Sequence, residues 1–467
     1  MNKINRMSKW MVASATLGLL TTACSTSEVI PEGGGTPSAS KTGQVEFKIS
    51  GGEPTRAIVD GSATAKELKI NSITVFIFGS AGCEADTTWT LGANNSVAGV
   101  KNLAEGTTNT YVANFYGAPV GTKHIYVGLN LTSAMQTAIK TYGVGTSITI
   151  SNDTLKTSNP NYYSDFADYD GGNGGGFPMF NVQDVTADIL ADGTTSVPVT
   201  VERWVAKVTM QTSADFDANT GDVRTAQGMT INPELKFEMA HANTTFYPIP
   251  KVLSSVTQDP NWEYSANYQS QFVNLYQASW DGVNKTFPLL LPNKNVGNST
   301  SSPVSDTTYV FENTHQTKAV GQMTFAYVMA TFQPAEITSW DGSTLSSTAY
   351  VSQAMDSLFV FNDGGTYRYF NDKTEAEGYA AASNLKFTTY YDGHCYYRVF
   401  LNPTKDNNVY RNDYYQVTIN GINQLGYPGD DDTDPSTVIG ATTMMTYDIT
   451  VQPWAVIPQD ATLGGDN

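Results

Sequence analysis

The sequence predicts an all-β fold of β-sandwich type, arranged as two domains. Three observations lead there. The 467 residues are rich in Tyr (26), Phe (20) and Gly (40) and only 15% charged, a strand-forming composition. Short alternating runs recur between turn signals, while the long helices that parallel crossovers need are missing. Three cysteines, Cys24, Cys83 and Cys395, rule out a disulfide framework by count, so packed sheets must supply the stability. The length suits two or three domains.

The chain opens with Lys3, Arg6 and Lys9 before an apolar run over residues 10–20, too short to span a bilayer as a mature helix. Small residues then lead to Cys24. Leu20-Thr21-Thr22-Ala23-Cys24 resembles a lipoprotein signal, in which Cys24 is acylated and becomes the first residue. The alternative is a plain secretory signal cut near Ala23. Either reading makes residues 1–23 a signal peptide and the protein an exported one. Residues 25–43, rich in Ser, Thr, Gly and Pro, read as a flexible tether.

Val45, Phe47 and Ile49 alternate with Glu46 and Lys48, the pattern of a strand with one buried face. Gly51, Gly52, Pro54 and a lone Arg56 then break the pattern in an exposed loop. A strand that packs in the precursor and is followed by a basic cleavage point can be removed after folding. Its removal leaves an apolar groove lined by unpaired backbone, which is a site for another chain. The alternative is an ordinary first strand and an ordinary loop.

Residues 70–78 are apolar on both faces, as in a central strand. A loop containing Cys83, a strand near 110–115 and an interior strand at 124–131 follow. Leu131, Met135, Ile139 and Tyr142 fall at helical spacing and predict one short helix. Residues 168–176 read as a mobile loop, and 177–180 as a return to the core. Residues 197–210 form one long alternating strand that carries the chain into the second domain, which begins at Trp204.

The second domain shows many short strands, at 235–239, 309–312, 323–331, 358–361 and 386–391. Residues 335–350 and 374–383 suggest helix or irregular insertions. Residues 395–401 and 413–419 read as a strand pair joined by a polar hairpin loop, 402–412. Met445, Tyr447, Ile449 and Val451 then alternate with polar residues. Pro453 interrupts, and Trp454, Val456 and Ile457 make the tail apolar. That tail either folds back on its own domain or leaves to fill a neighbour's groove.

The net charge of -18 excludes nucleic-acid binding through phosphate neutralisation. The four histidines, His124, His241, His315 and His394, lack metalloprotease spacing, and no nucleophile elbow or phosphate-binding loop occurs. His394 and Cys395 are adjacent, so on a strand they point to opposite faces. Asp430, Asp432 and Asp434, like Asp168 and Asp170, lack the other parts of a calcium loop and read as solvated acidic turns. No catalysis, cofactor or metal is therefore expected. Asp153-Thr154-Leu155 and Asp356-Ser357-Leu358 resemble a short O-glycosylation signal. Trp262, Tyr264 and Tyr268 are the aromatics a glycan-binding surface lipoprotein would use.

Four features together resemble a fimbrillin, the subunit of the type V pili of Bacteroidales. They are the lipoprotein signal, Pro54-Thr55-Arg56-Ala57, the segment VERWVAKV at 201–208, and CYYRVFLN with RNDYYQVTING across 395–421. The resemblance implies two transthyretin-like β-sandwich domains, 57–203 and 204–452. It implies a precursor held in the outer membrane by a transient lipid anchor, with residues 24–56 as tether and propeptide. An arginine-specific protease would cut between Arg56 and Ala57 and release Val45, Phe47 and Ile49 with their strand. The donor strand would come from Tyr447, Ile449, Val451, Trp454, Val456 and Ile457, with residues 453–467 as the donor segment. Identical or related subunits are the implied partners, and a cell-surface fimbrium the implied location. Retention of an apolar tail favours a shaft subunit over a tip or accessory one.

Overall fold

The computed structural model describes residues 42–51, 64, 67–92, 98–103, 110–141, 176–217, 227–243, 246–263, 272–273, 279–280, 285–286, 294–298, 306–351, 357–428 and 445–453. Nearly all of its regular structure is strand. The first half contributes β1 (Thr42–Gly51), β2 (Ser72–Gly79), β3 (Gly82–Thr90), β4 (Val100–Leu103) and β5 (Thr110–Pro119). It continues with β6 (Gly121–Leu129), α1 (Ser133–Lys140), β7 (Met179–Asn181), β8 (Val185–Ile189) and β9 (Thr194–Arg203). These nine strands form one sheet in the order β3-β2-β6-β7-β9-β1-β5-β4, with β8 against β6.

One face of that sheet closes on itself. Val45, Phe47 and Ile49 pack there with Ile73, Val75 and Ile77 of β2, Ile125, Val127 and Leu129 of β6, and Val197, Val199 and Val201 of β9. The period-2 alternation of four strands thus converges on one core. The central strand expected at 70–78 is β2, buried on both faces. The expected helix is α1, which buries Met135 and Ile139 and is capped by the Thr132 side chain. Cys83 does not lie in a loop as expected. It belongs to β3, opposite Phe78, because Gly82 at φ 126° closes a tight turn and returns the chain along β2. β3 is an edge strand with a half-exposed polar sequence, so it lacks an apolar alternation.

The long strand expected at 197–210 is broken at Trp204. β9 ends at Arg203 in the first sheet and β10 (Val205–Asp217) starts the next one. Further on lie β11 (Met229–Ile231), β12 (Lys236–Ala240) and eight two-residue strands. These are β13 (Ala242–Asn243), β14 (Val252–Leu253), β15 (Val256–Thr257), β16 (Phe272–Val273), β17 (Ser279–Trp280), β18 (Lys285–Thr286), β19 (Lys294–Asn295) and β20 (Gly297–Asn298). β21 (Thr307–Phe311), β22 (Phe325–Pro334), β28 (His394–Phe400), β29 (Asp413–Ile422) and β30 (Met445–Pro453) complete two five-stranded sheets. One holds β20, β10, β29, β30 and β21, and the other holds β11, β22, β12, β19 and β28. Val208, Met210, Tyr415, Val417 and Ile419 of the first pack with Phe237, Met239, Val328, Tyr397 and Val399 of the second, giving a sandwich.

Between β22 and β28 the chain builds a small unit. It contains β23 (Glu336–Trp340), β24 (Leu345–Ala349), β25 (Leu358–Asp363), β26 (Thr366–Phe370), α2 (Lys373–Ser383) and β27 (Phe387–Tyr390). Phe359, Phe361, Phe370, Ala376 and Tyr379 are its own core. α2 matches the helix expected at 374–383, with Asp372 as N-cap and Asn384 in the left-handed region after its end. Residues 335–350 differ from expectation, being a hairpin of β23 and β24. Asp341 turns it by accepting from the Ser343 and Thr344 amides at 2.8 and 2.7 Å. The exposed Ser and Thr residues of β24 give no alternation to read.

The expected pairing of 395–401 with 413–419 does not occur. β28 pairs with β22 in one sheet, and β29 with β10 and β30 in the other, so the two segments face each other across the sandwich. The connection does not make a hairpin. Asn402, Asp406, Asn407 and Asn412 all take positive φ, and Val409 bridges to Asn313, which carries the chain from one sheet to the other.

Candidate functional site

The site is built around β1. Its sequence TGQVEFKISG alternates so that Val45, Phe47 and Ile49 are fully buried. Glu46 and Lys48 face outward, their charged ends 3.5 Å apart. β1 runs antiparallel to β5 from Thr42↔Pro119 to Ser50↔Thr110, and parallel to β9 from Gln44↔Thr194 to Gly51↔Val201. It is therefore an interior strand with ladders on both sides. In the sheet order, β9 is linked to β5 only through β1. Taking β1 away leaves two strands with unpaired backbone and uncovers three apolar positions spaced i, i+2, i+4.

Gly43 marks one end of this seat. A Cβ there would lie 2.1 Å from the Leu190 carbonyl oxygen, so only glycine fits beside that backbone. The other end is Gly51. Arg56 and Ala57, in the segment that follows, lie outside the described residues, as does Cys24.

The chain re-enters at Thr64 and Glu67. The Thr64 amide donates to Glu67 Oε2 at 2.6 Å and the Glu67 amide donates back to Thr64 Oγ1 at 3.2 Å, a capping-box exchange. Glu67 is buried. Lys207 Nζ of β10 lies 3.1 Å from both of its carboxylate oxygens, and the Tyr309 hydroxyl of β21 donates to Oε1 at 2.5 Å. Arg203, the last residue of β9, donates from its guanidinium to the Glu67 carbonyl at 3.0 Å. Burial lowers the pKa of both cations, Arg203 to about 9, against the pull of Glu67. Sequence reasoning missed this group. Its signals were the Thr64-x-x-Glu67 spacing and the two cations, Arg203 and Lys207, flanking the apolar Trp204-Val205-Ala206 where β9 passes into β10.

A second polar group lies beside it. Arg411 grips Glu312 at 2.7 Å and donates to the Tyr247 and Pro248 carbonyls. The Asn412 amide donates to the Val205 carbonyl at 3.0 Å. Asp413, opening β29, stands opposite Pro453, the end of β30. The registers put the Gly51 end of β1 and the Pro453 end of β30 at the same junction, where β9 passes into β10.

Of the candidate donor residues, Tyr447, Ile449 and Val451 lie in β30, opposite Ile419, Val417 and Tyr415 of β29. Among the described residues β30 pairs on one side only and is an edge strand. Trp454, Val456 and Ile457 lie outside the described residues. So do the acidic runs at 168–170 and 430–434, Asp153, Asp356, Tyr264 and Tyr268.

Cys83 and Cys395 are not joined. Burial pushes the Cys395 thiol up to about 11, and its sulfur lies 3.5 Å from the Tyr397 hydroxyl. His124 holds Asp184 at 2.7 Å on the sheet surface. Among the described residues no group of His, Cys, Asp or Glu has metal-binding geometry, and no helix is long and apolar enough to cross a membrane.

Comparison with known proteins gives a family match for the C-terminal part of the chain. Residues 388–460, covering β28, β29 and β30, match the family model described as major fimbrial subunit protein type IV, fimbrillin, C-terminal. Over that segment the chain is similar to the fimbrillin C-terminal family. None of the curated proteins compared matches it. Among solved structures, a fimbrilin from Porphyromonas gingivalis W83 is 14% identical, with 90% of this chain and 99% of that one covered and a TM-score of 0.45. A candidate cell adhesion protein from Bacteroides eggerthii is also 14% identical, over 90% of this chain and 98% of that one, at 0.46. The tip fimbrial protein Mfa3 from P. gingivalis is 14% identical over 88% and 100%, at 0.35. The matched segment of this chain contains the edge strand β30 and the connection that crosses its sandwich.

Proposed function

We propose that this chain is a fimbrillin, a structural, non-catalytic shaft subunit of a type V fimbria at the cell surface. It is exported as a lipoprotein on Cys24, anchored in the outer membrane, and cut between Arg56 and Ala57 by an arginine-specific protease. It then polymerises with copies of itself or related subunits when the C-terminal segment of one takes the place of β1 in the next.

The observation that carries this reading is the position of β1: an interior strand, laddered on both sides, with Val45, Phe47 and Ile49 fully buried. At ~1.5–3 kcal/mol per side chain, refilling those positions contributes roughly 5–9 kcal/mol. The two ladders supply the rest, because ordering a donor of this length costs about 1–2 kcal/mol per residue. While β1 remains covalently attached it competes at very high effective concentration. Cleavage is therefore the switch. The apolar tail at Trp454, Val456 and Ile457 favours the shaft role, since a subunit that extends the polymer needs a donor.

Native digestion with trypsin tests the proposal. The precursor is expected to lose a peptide ending at Arg56 and then to form SDS-resistant ladders. A chain that is cut at Arg56, sheds β1 and stays monomeric overturns it.

A further inference from the structure

Removing β1 takes one ladder from β9 and one from β5 and opens the core between them. Something must keep the walls of the vacated seat in place until a donor arrives. The polar group at Glu67 is attached to one of those walls and to the chain just downstream of the cut. Arg203, which donates to the Glu67 carbonyl, is the last residue of β9, two positions beyond the Gly51↔Val201 pair. Lys207 and Tyr309, which hold the Glu67 carboxylate, pair with each other across β10 and β21. From Glu67 the chain runs into β2 through Asn71, whose amide donates to Asn130 Oδ1 at 2.7 Å. None of these contacts involves β1, so none is lost with it.

We infer that Glu67 is the positioning residue that holds the start of the processed chain and the end of β9 against the second sheet, so that the emptied seat keeps its shape for an incoming strand. This rests on the processing reading above. Glu67 is ten residues beyond Ala57, and Thr64 is the first described residue after the cut. The carboxylate accepts from a lysine, a phenol and a backbone amide at once, and its burial makes each contact count more than it would in water. Removing the charge of one partner leaves the opposite charge uncompensated in a buried site.

The test uses Lys69, which is exposed two residues beyond Glu67. Wild type, Glu67→Gln and the double variant Glu67→Gln/Lys207→Met are purified as full precursors, with folding checked by circular dichroism. Each is cut with an arginine-specific protease and then probed with a lysine-specific one. The Glu67→Gln cut form is expected to be cleaved at Lys69 about tenfold faster than wild type, because cleavage there follows local opening. Its yield of SDS-resistant polymer falls by a similar factor. The double variant, which no longer buries the Lys207 ammonium without its carboxylate, recovers to within about twofold of wild type.

Equal Lys69 cleavage rates in cut wild type and cut Glu67→Gln overturn the inference. So does a Glu67→Gln precursor that fails to fold, since Glu67 would then be needed before β1 departs. If cut wild type itself never polymerises, the reading of function fails, while the Lys69 rates still decide the role of Glu67.

Discussion

Glu202 stands one residue before Arg203 near the end of β9, with its Oε1 shielded from solvent and 3.8 Å from Arg411 Nε. Burial raises its pKa to about 8; Arg411 pulls it down, and Glu312 and Asp413 push it up. An acid whose folded pKa lies above its unfolded one binds its proton more tightly in the folded state. Its contribution to stability is therefore full below the unfolded value, near 4.5, and is lost as pH rises through about 8. Urea midpoints of the precursor are expected to fall between pH 5 and pH 8. Glu202→Gln, which keeps the neutral shape, is expected to flatten that slope and to be the more stable protein at pH 8. A slope unchanged by the substitution excludes Glu202 as its source. In sequence Glu202 was one letter of VERWVAKV; its environment comes from Arg411, more than two hundred residues away, and no local pattern announces such a partner.

Two strands carry the functional reading at the scale of elements. β1 was legible because Val45, Phe47 and Ile49 alternate and Gly51 and Pro54 stop the run, and the structure extends it only to Thr42–Gly51. β30 was legible for the same reason up to Pro453, which removes a donor from the ladder. Among the described residues β30 is an edge strand paired with β29, and it ends at Pro453 opposite Asp413 of its own sandwich. Truncation after Gln452 keeps nearly all of that pairing. The truncated precursor is expected to fold, with a melting temperature within about 1 °C of the full chain, since for an unfolding unit of this size such a change corresponds to about 1 kcal/mol. After cleavage at Arg56 it is expected to give no filaments by electron microscopy. Filaments of normal length from the truncated chain would move the donor upstream into β30. The elements that were misread share one cause. β3 and β24 are half-exposed or exposed and β23 buries two adjacent residues, Ile337 and Thr338, so burial imposes no period on them. The false pairing of β28 with β29 came from assuming that neighbours in sequence are neighbours in a sheet, which a sandwich violates wherever a connection crosses between layers.

Across the whole molecule, the aromatic residues bridge the sheets. Phe177 lies 4.7 Å from Tyr309 and Phe180 lies 6.1 Å from Trp204, ring to ring. Phe76, Phe78, Tyr126, Met135 and Ile139 from the first half belong to the same apolar cluster as the core of the second-half sandwich. The junction also holds both polar groups described above. Such continuity couples the two halves, so residues 42–453 are expected to unfold in one calorimetric transition whose van't Hoff and calorimetric enthalpies agree. Two resolved transitions, one lost when β1 is removed, would show instead that the halves melt separately.

The sequence by itself determined the all-β class, the amphipathic strand at 45–49, the short helix after Leu131, the helix near 374–383 and the alternating strand that ends at Pro453. Each follows from a local period or a local stop, which needs no knowledge of what lies across the fold. That β1 is interior, that β30 is an edge among the described residues, and that Glu67 meets Lys207, Tyr309 and Arg203 came from the fold alone. Those facts depend on which distant strands become neighbours, and buried charges are stable only with partners that folding delivers from far along the chain.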